Sequence, residues 1–569
     1  MRLNWFARHS RRPSLLRRWL RLLGQSWSAS PLRRIVQTAF FAVFLALFFY
    51  AAWPHGTGPA GQIRAAREWI DIETFLALDP LVSISAAIAA RELVWSLAFA
   101  AVLLAISLVL PRFFCGYACP MGTLIDLFDW AVSNRVHRFR LARPSWWRHL
   151  RYYILAAVLV AAACGVTLSG YVAAIPTVTR GFQFVASPLQ IGLVLGWDRL
   201  SPLGAAQAAS ILLLAVVLLL GLLRPRFWCR YVCPSGAVFS ILNLLRLTER
   251  KVQSHCIQCG KCAKACSFDA INDDFQTIGA NCAFCQTCAG ICPVGAIDFG
   301  FRTPGWSSPP ASRPLALRVL SPAADMSRRG FVAAAAFAAL GGGLAAAGLR
   351  TTRTGPLSPV LRPPGSVAED LFTRLCVRCG QCLRVCPTGI LQPSGLANGL
   401  DGLWTPFANA DLAACDPACN NCGHVCPTGA IAALSMETKK QTRMGLAEVD
   451  QEICLACRQR ADCQTLNGTS LICFDACEAA GYSAIILQGE PDPIPSVNPD
   501  PCVGCGACQA ACFHANVIRR KLLGRSAIPV HPIGSPREQA SRRAAGQPAP
   551  TDAPAASTKI SVPYSIPDD

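Results

Sequence analysis

The chain has 569 residues, of which 52% are hydrophobic and only 15% charged, and its mean hydropathy is +0.36. Such a chain has too few charges for a wholly soluble or a disordered protein. It is also too long and too apolar for its 30 cysteines to be those of a small disulfide-rich domain. The net charge of +20 does not indicate a nucleic-acid partner, because the arginines lie beside apolar runs rather than on one basic face.

Four apolar runs occupy the first part of the chain, and each is long enough to cross a hydrocarbon layer about 30 Å thick. They cover residues 35–53, 93–110, 153–174 and 204–223. Buried helices of a large soluble core are the alternative, which four such runs disfavour. Lysine and arginine are concentrated before the first run, after the second and after the fourth, so both ends of this unit should be cytoplasmic. We interpret 1–34 as a basic cytoplasmic segment and 35–250 as a four-span membrane domain.

Two similar motifs follow the second and fourth runs and contain cysteines four residues apart. One is Cys115-Gly-Tyr-Ala-Cys119-Pro and the other is Cys229-Arg-Tyr-Val-Cys233-Pro. Their recurrence indicates an internal duplication of a helical hairpin, and cysteines at i and i+4 share a helix face. The four thiols are candidates for a redox pair or a metal site. The alternative is a tight turn whose thiols are buried as small apolar groups.

Residues 251–300 carry two cysteine tetrads with the CxxCxxCxxxC spacing of bacterial ferredoxins. In that arrangement three thiolates hold one 4Fe-4S cluster and the fourth reaches the neighbouring cluster. A structural zinc site would separate two CxxC pairs by a longer loop, and disulfides are disfavoured in the cytoplasm. We predict a cytoplasmic two-cluster ferredoxin domain. Its ligands are Cys256, Cys259, Cys262 and Cys292 for one cluster, and Cys282, Cys285, Cys288 and Cys266 for the other.

Residues 351–520 carry four more groups, which predict a four-cluster ferredoxin domain. Three groups are regular, except that one has a first gap wider by one residue. They are Cys376, Cys379, Cys382 and Cys386; Cys415, Cys419, Cys422 and Cys426; and Cys502, Cys505, Cys508 and Cys512.

The remaining group is irregular, with five cysteines for four positions. Cys473 and Cys477 keep the final spacing, and we favour Cys454 and Cys463 as the other two ligands. Cys457 is then spare, although spacing alone leaves the choice between Cys457 and Cys463 open. The six groups together predict about six 4Fe-4S clusters.

A linker at 301–325 separates the two cysteine-rich parts, and 326–350 follows it with Arg328-Arg329 before a mildly apolar run. This pattern predicts a signal for the twin-arginine translocase, which suits a domain that must bind its metal in the cytoplasm before crossing. A chance arginine pair in an Ala-rich helix is the alternative. As a signal or anchor helix the segment would be a fifth crossing, so we expect 351–569 in the periplasm, with 521–569 as a disordered tail.

The predicted fold is an α-helical membrane bundle of four spans plus a fifth signal or anchor helix, with α+β ferredoxin-like domains. This order of motifs resembles a fusion of two ferredoxin-type proteins of periplasmic nitrate reductase systems, NapH followed by NapG. It is equally similar to MauN and MauM of methylamine utilisation. The NapH-like part covers 30–300 and includes Asp79-Pro80-Leu81 and the paired CxxxCP motifs. The NapG-like part covers 326–520 and includes the arginine pair and Arg362-Pro363-Pro364-Gly365.

The resemblance implies a multi-pass protein of the bacterial inner membrane that oxidises quinol from the quinone pool and passes electrons to a periplasmic redox enzyme or cytochrome. It would be a quinol dehydrogenase component, or otherwise an electron carrier. Glu73 and Asp79, expected near the periplasmic edge, are candidate acceptors of quinol protons, and an ordinary surface role is the alternative for each. The alternative function is a membrane ferredoxin that reduces a metal centre or matures a partner metalloenzyme, as in NosR and CcoG proteins, which share the CxxxCP type of membrane core.

Overall fold

The structure is a computed structural model. It describes residues 25–52, 76, 78–91, 93–94, 96–133, 135–136, 149–194, 203–302, 332, 336–337, 339, 343, 360–396, 399–458, 463, 470–489 and 493–544. The chain divides into two compact units. The first comprises Met1–Tyr50, Phe75–Gly181 and Ser210–Ala346, and the second comprises Ala51–Thr74, Phe182–Ala209 and Ala347–Asp569.

In the described residues before residue 246, all the regular elements are helices. The α-helices are α1 Gln25–Ala29, α2 Pro31–Ala52, α3 Pro80–Ala90, α4 Ser96–Val109, α5 Pro120–Phe128, α6 Leu150–Ala163, α7 Ser169–Val172, α8 Ala174–Val194, α9 Ala205–Leu219 and α10 Pro234–Leu242. Short π-helical turns lie at Phe114–Ala118, Asp129–Ser133 and Trp228–Val232, and 3₁₀ turns lie at Leu220–Leu222 and Asn243–Leu245. Both CxxxCP motifs therefore have the same local structure: a π-helical turn, an extended second cysteine, and a new helix that begins at proline.

Among the residues that the structure describes, two helices are long and apolar enough to cross a membrane, by length and composition: Pro31–Phe49 and Ala205–Leu222. They correspond to the first and fourth predicted runs. The second and third runs form α4 and α6, which have 14 residues each, fewer than the roughly 17 to 25 of a typical span. The expected full-length spans are not found there, because Pro111 follows α4 and the left-handed Gly165 (φ 85°) follows α6.

The rest of the first unit is a small ferredoxin-like domain. Strand β1 (Thr248–Val252) pairs antiparallel with β2 (Ile297–Phe301), and the short helices α11 (Lys261–Lys264) and α12 (Thr287–Ile291) lie between them in the chain. Most of the predicted signal segment lies outside the described residues. Phe337, within it, stacks on Tyr153 of α6 with ring centroids 5.8 Å apart.

The second unit contains short helices and two-stranded antiparallel sheets. Its helices are α13 Glu369–Leu375, α14 Gln381–Val385, α15 Gly399–Gly402, α16 Asn421–His424, α17 Met436–Gln441, α18 Ile472–Ala479, α19 Ala507–Cys512 and α20 Pro536–Ala544, with a π-helical stretch at Phe513–Arg519. Its strands pair as β3 (Leu391–Pro393) with β4 (Pro406–Ala408), β5 (Gly445–Ala447) with β8 (Val530–Pro532), and β6 (Ile485–Gln488) with β7 (Ile494–Val497).

The C-terminal segment departs from the expected disordered tail. Residues 521–544 contain β8 and α20, and β8 pairs with β5 over three residues. Buried Ala527 donates its backbone N–H to the Cys512 sulfur at 3.5 Å. The proline-rich composition that suggested disorder belongs to 545–569, which lies outside the described residues.

Candidate iron–sulfur and membrane thiol sites

The eight cysteines of the first unit's ferredoxin domain lie in two neighbouring places. Cys262 and Cys292 pack against the buried cluster of Phe284, Ile297 and Phe299. With the half-buried Cys256 and the exposed Cys259, they make up what we call the first set.

The second set consists of Cys282, Cys285, Cys288 and Cys266, and these four cysteines line one apolar cavity. Phe268 and Phe299 line the same cavity. Cys266 is the last cysteine of the preceding tetrad, so the structure brings it to the neighbouring tetrad, as the ferredoxin pattern predicts.

The same exchange of the last cysteine links the next two groups. Burial raises the pKa of Cys382 well above its usual value, and the thiols of Cys379, Cys376, Cys426 and Cys422 raise it further. We call Cys376, Cys379, Cys382 and Cys426 the third set. Burial also raises the pKa of Cys419 to about 12, with Cys386 and Cys415 adding to the rise. The fourth set is Cys415, Cys419, Cys422 and Cys386.

The last two groups form two further cavities. The fifth set, Cys502, Cys505, Cys508 and Cys477, lines one of them. The sixth set, Cys454, Cys463, Cys473 and Cys512, lines the other.

The irregular group therefore differs from its sequence grouping. Cys477, grouped with Cys473 by spacing, lies with the fifth set, and Cys512 takes its place in the sixth. Cys463 lines the sixth cavity and Cys457 does not, although Cys457 is close enough to interact electrostatically with Cys454. The signal that favours Cys463 is burial: it is 6% exposed, whereas Cys457 is half-buried.

These sets fit iron–sulfur clusters better than single metal ions. In the part of the chain that the structure describes, no three His, Cys, Asp or Glu side chains stand close enough together to hold one metal ion. A tetrahedral zinc site with Zn–S bonds of about 2.3 Å needs sulfurs about 4 Å apart, whereas a four-iron cube separates its thiolates further. Neighbouring buried thiols raise one another's pKa, so the thiolate form needs the positive charge that a cluster supplies.

Backbone N–H groups already point at the last cysteine of several tetrads. Ala270, Ala296, Ile431 and Ala484 donate to the sulfurs of Cys266, Cys292, Cys426 and Cys477 at 3.3, 3.3, 3.4 and 3.2 Å respectively. Hydrogen bonds to sulfur stabilise the thiolate and tune the reduction potential of a bound cluster. In all four cases the donor lies four to seven residues after the cysteine, in the turn that closes the tetrad.

The four cysteines of the two CxxxCP motifs converge at what we call the thiol site. Cys119, Cys229 and Cys233 are buried and Cys115 is half-buried. The Cys119 thiol interacts electrostatically with the other three.

Two arginines that the sequence reasoning missed hold the two motifs together. Arg112 donates to the carbonyls of Cys229 at 3.5 Å and Gly236 at 3.4 Å. Arg226 donates to the carbonyls of Cys115 at 3.0 Å and Gly122 at 3.3 Å. The available signal was the Pro-Arg-Phe triplet that precedes each motif.

Phe268 joins this thiol site to the second cysteine set. Its ring lies 4.5 Å from the Arg226 guanidinium and 5.7 Å from that of Arg112, and it also lines the second cavity. Tyr117, inside the first motif, donates its hydroxyl to the Phe284 carbonyl at 2.9 Å. The thiol site and the second set are thus directly adjacent.

Asp79 lies elsewhere than expected. Rather than standing at the opposite edge, it is fully buried as the N-cap of α3, where it accepts from the Leu81 N–H at 3.2 Å and from the Ser235 hydroxyl at 3.0 Å. Ser235 is the second residue after Cys233, so the carboxyl group belongs to the thiol site. Glu73 lies outside the described residues.

Cysteine sets of this spacing and exchanged membership define a ferredoxin-type iron–sulfur protein. A family model described as a 4Fe-4S binding domain matches residues 93–140, 206–252 and 422–442, and a second model of the same description matches 250–272 and 372–392. No solved structure matches the chain.

Among curated proteins, the ferredoxin-type protein NapG of Escherichia coli K12 is 38% identical over 186 residues, which cover 30% of this chain and 75% of NapG. The methylamine utilisation ferredoxin-type protein MauM of Methylobacillus flagellatus is 35% identical over 188 residues, or 32% of this chain and 76% of MauM. The putative electron transport protein YccM of E. coli K12 is 30% identical over 167 residues, 28% of this chain and 43% of YccM. The chain belongs to the family of NapG and MauM, and it is an iron–sulfur protein of electron transfer.

Proposed function

We propose that the protein oxidises quinol at the membrane thiol site and passes the electrons to a redox protein in the periplasm. It combines a NapH-like membrane part with a NapG-like part in one chain. Oxidation of one quinol releases two electrons and two protons. Bound 4Fe-4S clusters, six in this proposal, supply one-electron carriers, and the protein positions them and accepts the protons.

Asp79 is the observation that carries this proposal. It is a fully buried carboxyl group whose hydrogen-bond donors in the structure are a serine hydroxyl and a backbone N–H, rather than a cation. A buried carboxylate without a cationic partner is costly, so such a group is suited to take up a proton. Its position beside Cys115 and Cys233, with which it interacts electrostatically, puts a proton acceptor next to redox-competent thiols.

Adjacency to the ferredoxin domain supports the exit of electrons from this site. Tyr117 and Phe268 connect the motif to the second set, and Asn243, just after α10, donates to the carbonyl of Cys282 at 3.0 Å. An electron released at the thiol site is therefore close to a carrier that accepts it.

Contacts within the second unit support a periplasmic position for the four-cluster domain. Gln183 of α8 belongs to the segment between the third and fourth apolar runs, which the positive-inside rule assigns to the periplasmic side. With the Gln183 amide oriented to satisfy both neighbours, it donates to the Gly380 carbonyl at 3.0 Å and accepts from the backbone N–H of Arg384 at 3.2 Å. Trp404 donates its indole N–H to the Ala206 carbonyl at 2.8 Å, at the start of α9.

The test uses the full chain in proteoliposomes, with clusters intact and oxygen excluded, and a short-chain quinol as reductant. Loss of the visible cluster absorbance reports reduction. We expect quinol to reduce the wild type, and Asp79→Asn to slow the reaction about 100-fold, as for loss of a general base. Asp274→Asn, at an exposed site of the same unit, is the control and should react at the wild-type rate.

Two results would contradict the proposal. A wild type that dithionite reduces and quinol does not would exclude quinol oxidation and leave the maturation function as the better reading. A wild-type rate in Asp79→Asn would remove the proton-accepting role of Asp79.

A further inference from the structure

In the second unit, each of the four cysteine sets contacts the next. The third and fourth sets exchange their last cysteines, and the Cys382 thiol interacts with that of Cys422. Cys415, of the fourth set, donates its backbone N–H to the Cys505 carbonyl, of the fifth, at 2.8 Å. The fifth and sixth sets also exchange cysteines, and Cys508 interacts with Cys473. The order is therefore third, fourth, fifth, sixth.

One end of the series is covered by the chain itself. Gly380 accepts a hydrogen bond from the Gln183 side chain, and the backbone N–H of Arg384 donates one to it. These two residues lie on either side of Cys382 of the third set. Gln183 is 4% exposed and Cys382 is 9% exposed. Gln183 of α8 therefore covers this end, and an external partner is expected to approach another end of the series.

The other end lies just under the surface. Asn516, buried in the π-helical stretch after Cys512, donates to the sulfurs of Cys512 and Cys463 at 3.7 and 3.9 Å. The chain then turns outward, with Lys521 in the left-handed region (φ 53°). Leu523 returns inward to line the sixth cavity.

This turn presents a patch that combines apolar and basic side chains. Ile518 is 54% and Leu522 is 40% exposed, and Arg519, Arg520 and Lys521 between them are also exposed. Residues 513–522 include no acidic residue. Arg520 is close enough to interact electrostatically with Cys463. We call residues 518–522 the exit patch.

We infer that the exit patch is the docking surface for the electron acceptor, a soluble redox protein with an acidic surface around its own redox centre. Three adjacent positive charges complement such a surface and orient the encounter, and the two exposed apolar side chains supply dry contact at its centre. Docking here puts the acceptor beside the sixth set, at the end of the series farthest from the covered third set. This inference rests on the proposed electron-carrier function, but it is tested by binding.

The test immobilises the full chain in lipid nanodiscs and measures binding of two probes by surface plasmon resonance. The probes are an acidic c-type cytochrome and a basic c-type cytochrome of similar size. We expect the acidic probe to bind with an affinity that falls as salt increases, and the basic probe to bind much more weakly. The variant Arg519→Glu, Arg520→Glu, Lys521→Glu should weaken binding of the acidic probe about tenfold or more.

A matched control reverses three exposed charges elsewhere in the second unit, Arg374→Glu, Lys440→Glu and Arg537→Glu, and gives the same change in net charge. This control should bind the acidic probe with nearly the wild-type affinity. Equal losses in both triple variants, or no salt-dependent binding to the wild type, would overturn the inference.

Iron content and the visible spectrum verify that each variant keeps its clusters. If the triple variant at the exit patch loses iron, the milder variant Arg519→Gln, Lys521→Gln decides, with a smaller loss of affinity expected and an unchanged affinity contradicting the proposal. Quinol oxidation plays no part in these measurements, so failure of the docking surface and failure of the quinol reaction are distinguishable.

Discussion

Arg112 and Arg226 occupy equivalent positions in the two CxxxCP repeats, and each donates hydrogen bonds to carbonyls of the other repeat. Both side chains are fully buried, and both residues have left-handed backbone conformations, with φ of 51° and 52°. Glycine at position 236 leaves space for the Arg112 side chain, because a Cβ there would lie 3.1 Å from an Arg112 nitrogen. The duplicated sequence thus folds into a reciprocal clamp that fixes the four thiols relative to one another.

We expect replacement of either arginine by lysine to destabilise the protein. Lysine supplies a positive charge but not the planar, multidentate donor group that reaches two carbonyls at once. We expect Arg112→Lys to lower the free energy of unfolding by about 2 kcal/mol. Arg226→Lys should cost more, because Arg226 also forms a two-point ion pair with Asp126, at 2.6 and 2.8 Å.

Thermal unfolding in detergent measures this prediction, with Arg135→Lys at an exposed site of the same unit as the control. Equal melting temperatures for Arg226→Lys and the control would contradict the clamp. The two clamp variants should also slow quinol-dependent reduction while leaving reduction by dithionite unchanged, because they disturb the thiol site rather than the clusters.

The sixth set gives a prediction on metal content. Six filled sets correspond to about 24 iron atoms per chain. Cys463→Ser should remove the cluster of the sixth set and lower the iron content by about four atoms, since serine is a poor replacement for a thiolate ligand. Cys457→Ser, six residues earlier, is the matched control and should keep all the iron.

Iron analysis after anaerobic purification separates the two variants. The opposite pattern, with loss of iron in Cys457→Ser alone, would show that Cys457 is the ligand. Zinc in comparable amounts would show that some sets hold single metal ions.

Local spacing in the sequence was enough to predict the ferredoxin sets of the first unit, because three of four ligands in each set lie within seven residues. It was not enough for the fifth and sixth sets. Cys477 and Cys473 share a helix, but they point into different cavities, and that depends on how α18 packs against α19. Exchange of Cys477 and Cys512 is the usual ferredoxin arrangement, which the extra cysteine of the irregular group obscured.

The location of Asp79 could not be predicted from the sequence, for a second reason. Sequence position placed it on the side of the membrane opposite to the CxxxCP motifs, on the assumption that each apolar run is a full span. In the structure α3 begins at the thiol site, with Asp79 as its N-cap and Pro80 as its first residue. A short buried helix of 11 residues cannot be distinguished from a loop next to a span by hydropathy alone.

Asp126 should make stability depend on pH. Burial by itself would raise the pKa of Asp126, but the guanidinium groups of Arg226, Arg34 and Arg33 hold it well below its usual value. Because the folded pKa is depressed, the stabilisation is present above the unfolded pKa of about 4 and is lost as the pH falls toward the folded value. Asp126→Asn leaves buried arginines without their partner and should cost about 3–5 kcal/mol at pH 7.

Melting temperatures of Asp126→Asn and of the control Asp274→Asn at pH 7 and at about pH 3, below the unfolded pKa, measure this effect. The difference in melting temperature between Asp126→Asn and Asp274→Asn should be large at pH 7 and smaller at the lower pH. A gap that is the same at both values would mean that Asp126 does not act through its charge.

The last prediction concerns topology, on which the proposed direction of electron flow depends. We expect the cysteines at 256–292 in the cytoplasm and those at 376–512 in the periplasm, because the positive-inside rule and Arg328-Arg329 agree on this arrangement. Changing both arginines to lysine keeps the charge but alters the donor geometry that the translocase reads. In the Lys variant the four-cluster domain should stay in the cytoplasm with its iron bound.

An epitope tag at the C-terminus and protease added to spheroplasts provide the measurement. Wild-type chains should lose the tag, and the Lys variant should keep it, while iron content stays equal. The contact of Gln183 with Arg384 adds an internal check. A four-cluster domain that remains cytoplasmic cannot reach the segment containing Gln183. The double variant Gln183→Cys, Arg384→Cys should therefore be cross-linked by a short thiol reagent when Arg328 and Arg329 are present, and not when both are lysine. A tag protected in both backgrounds, without that cross-link, would place the four-cluster domain in the cytoplasm and exclude delivery of electrons to the periplasm.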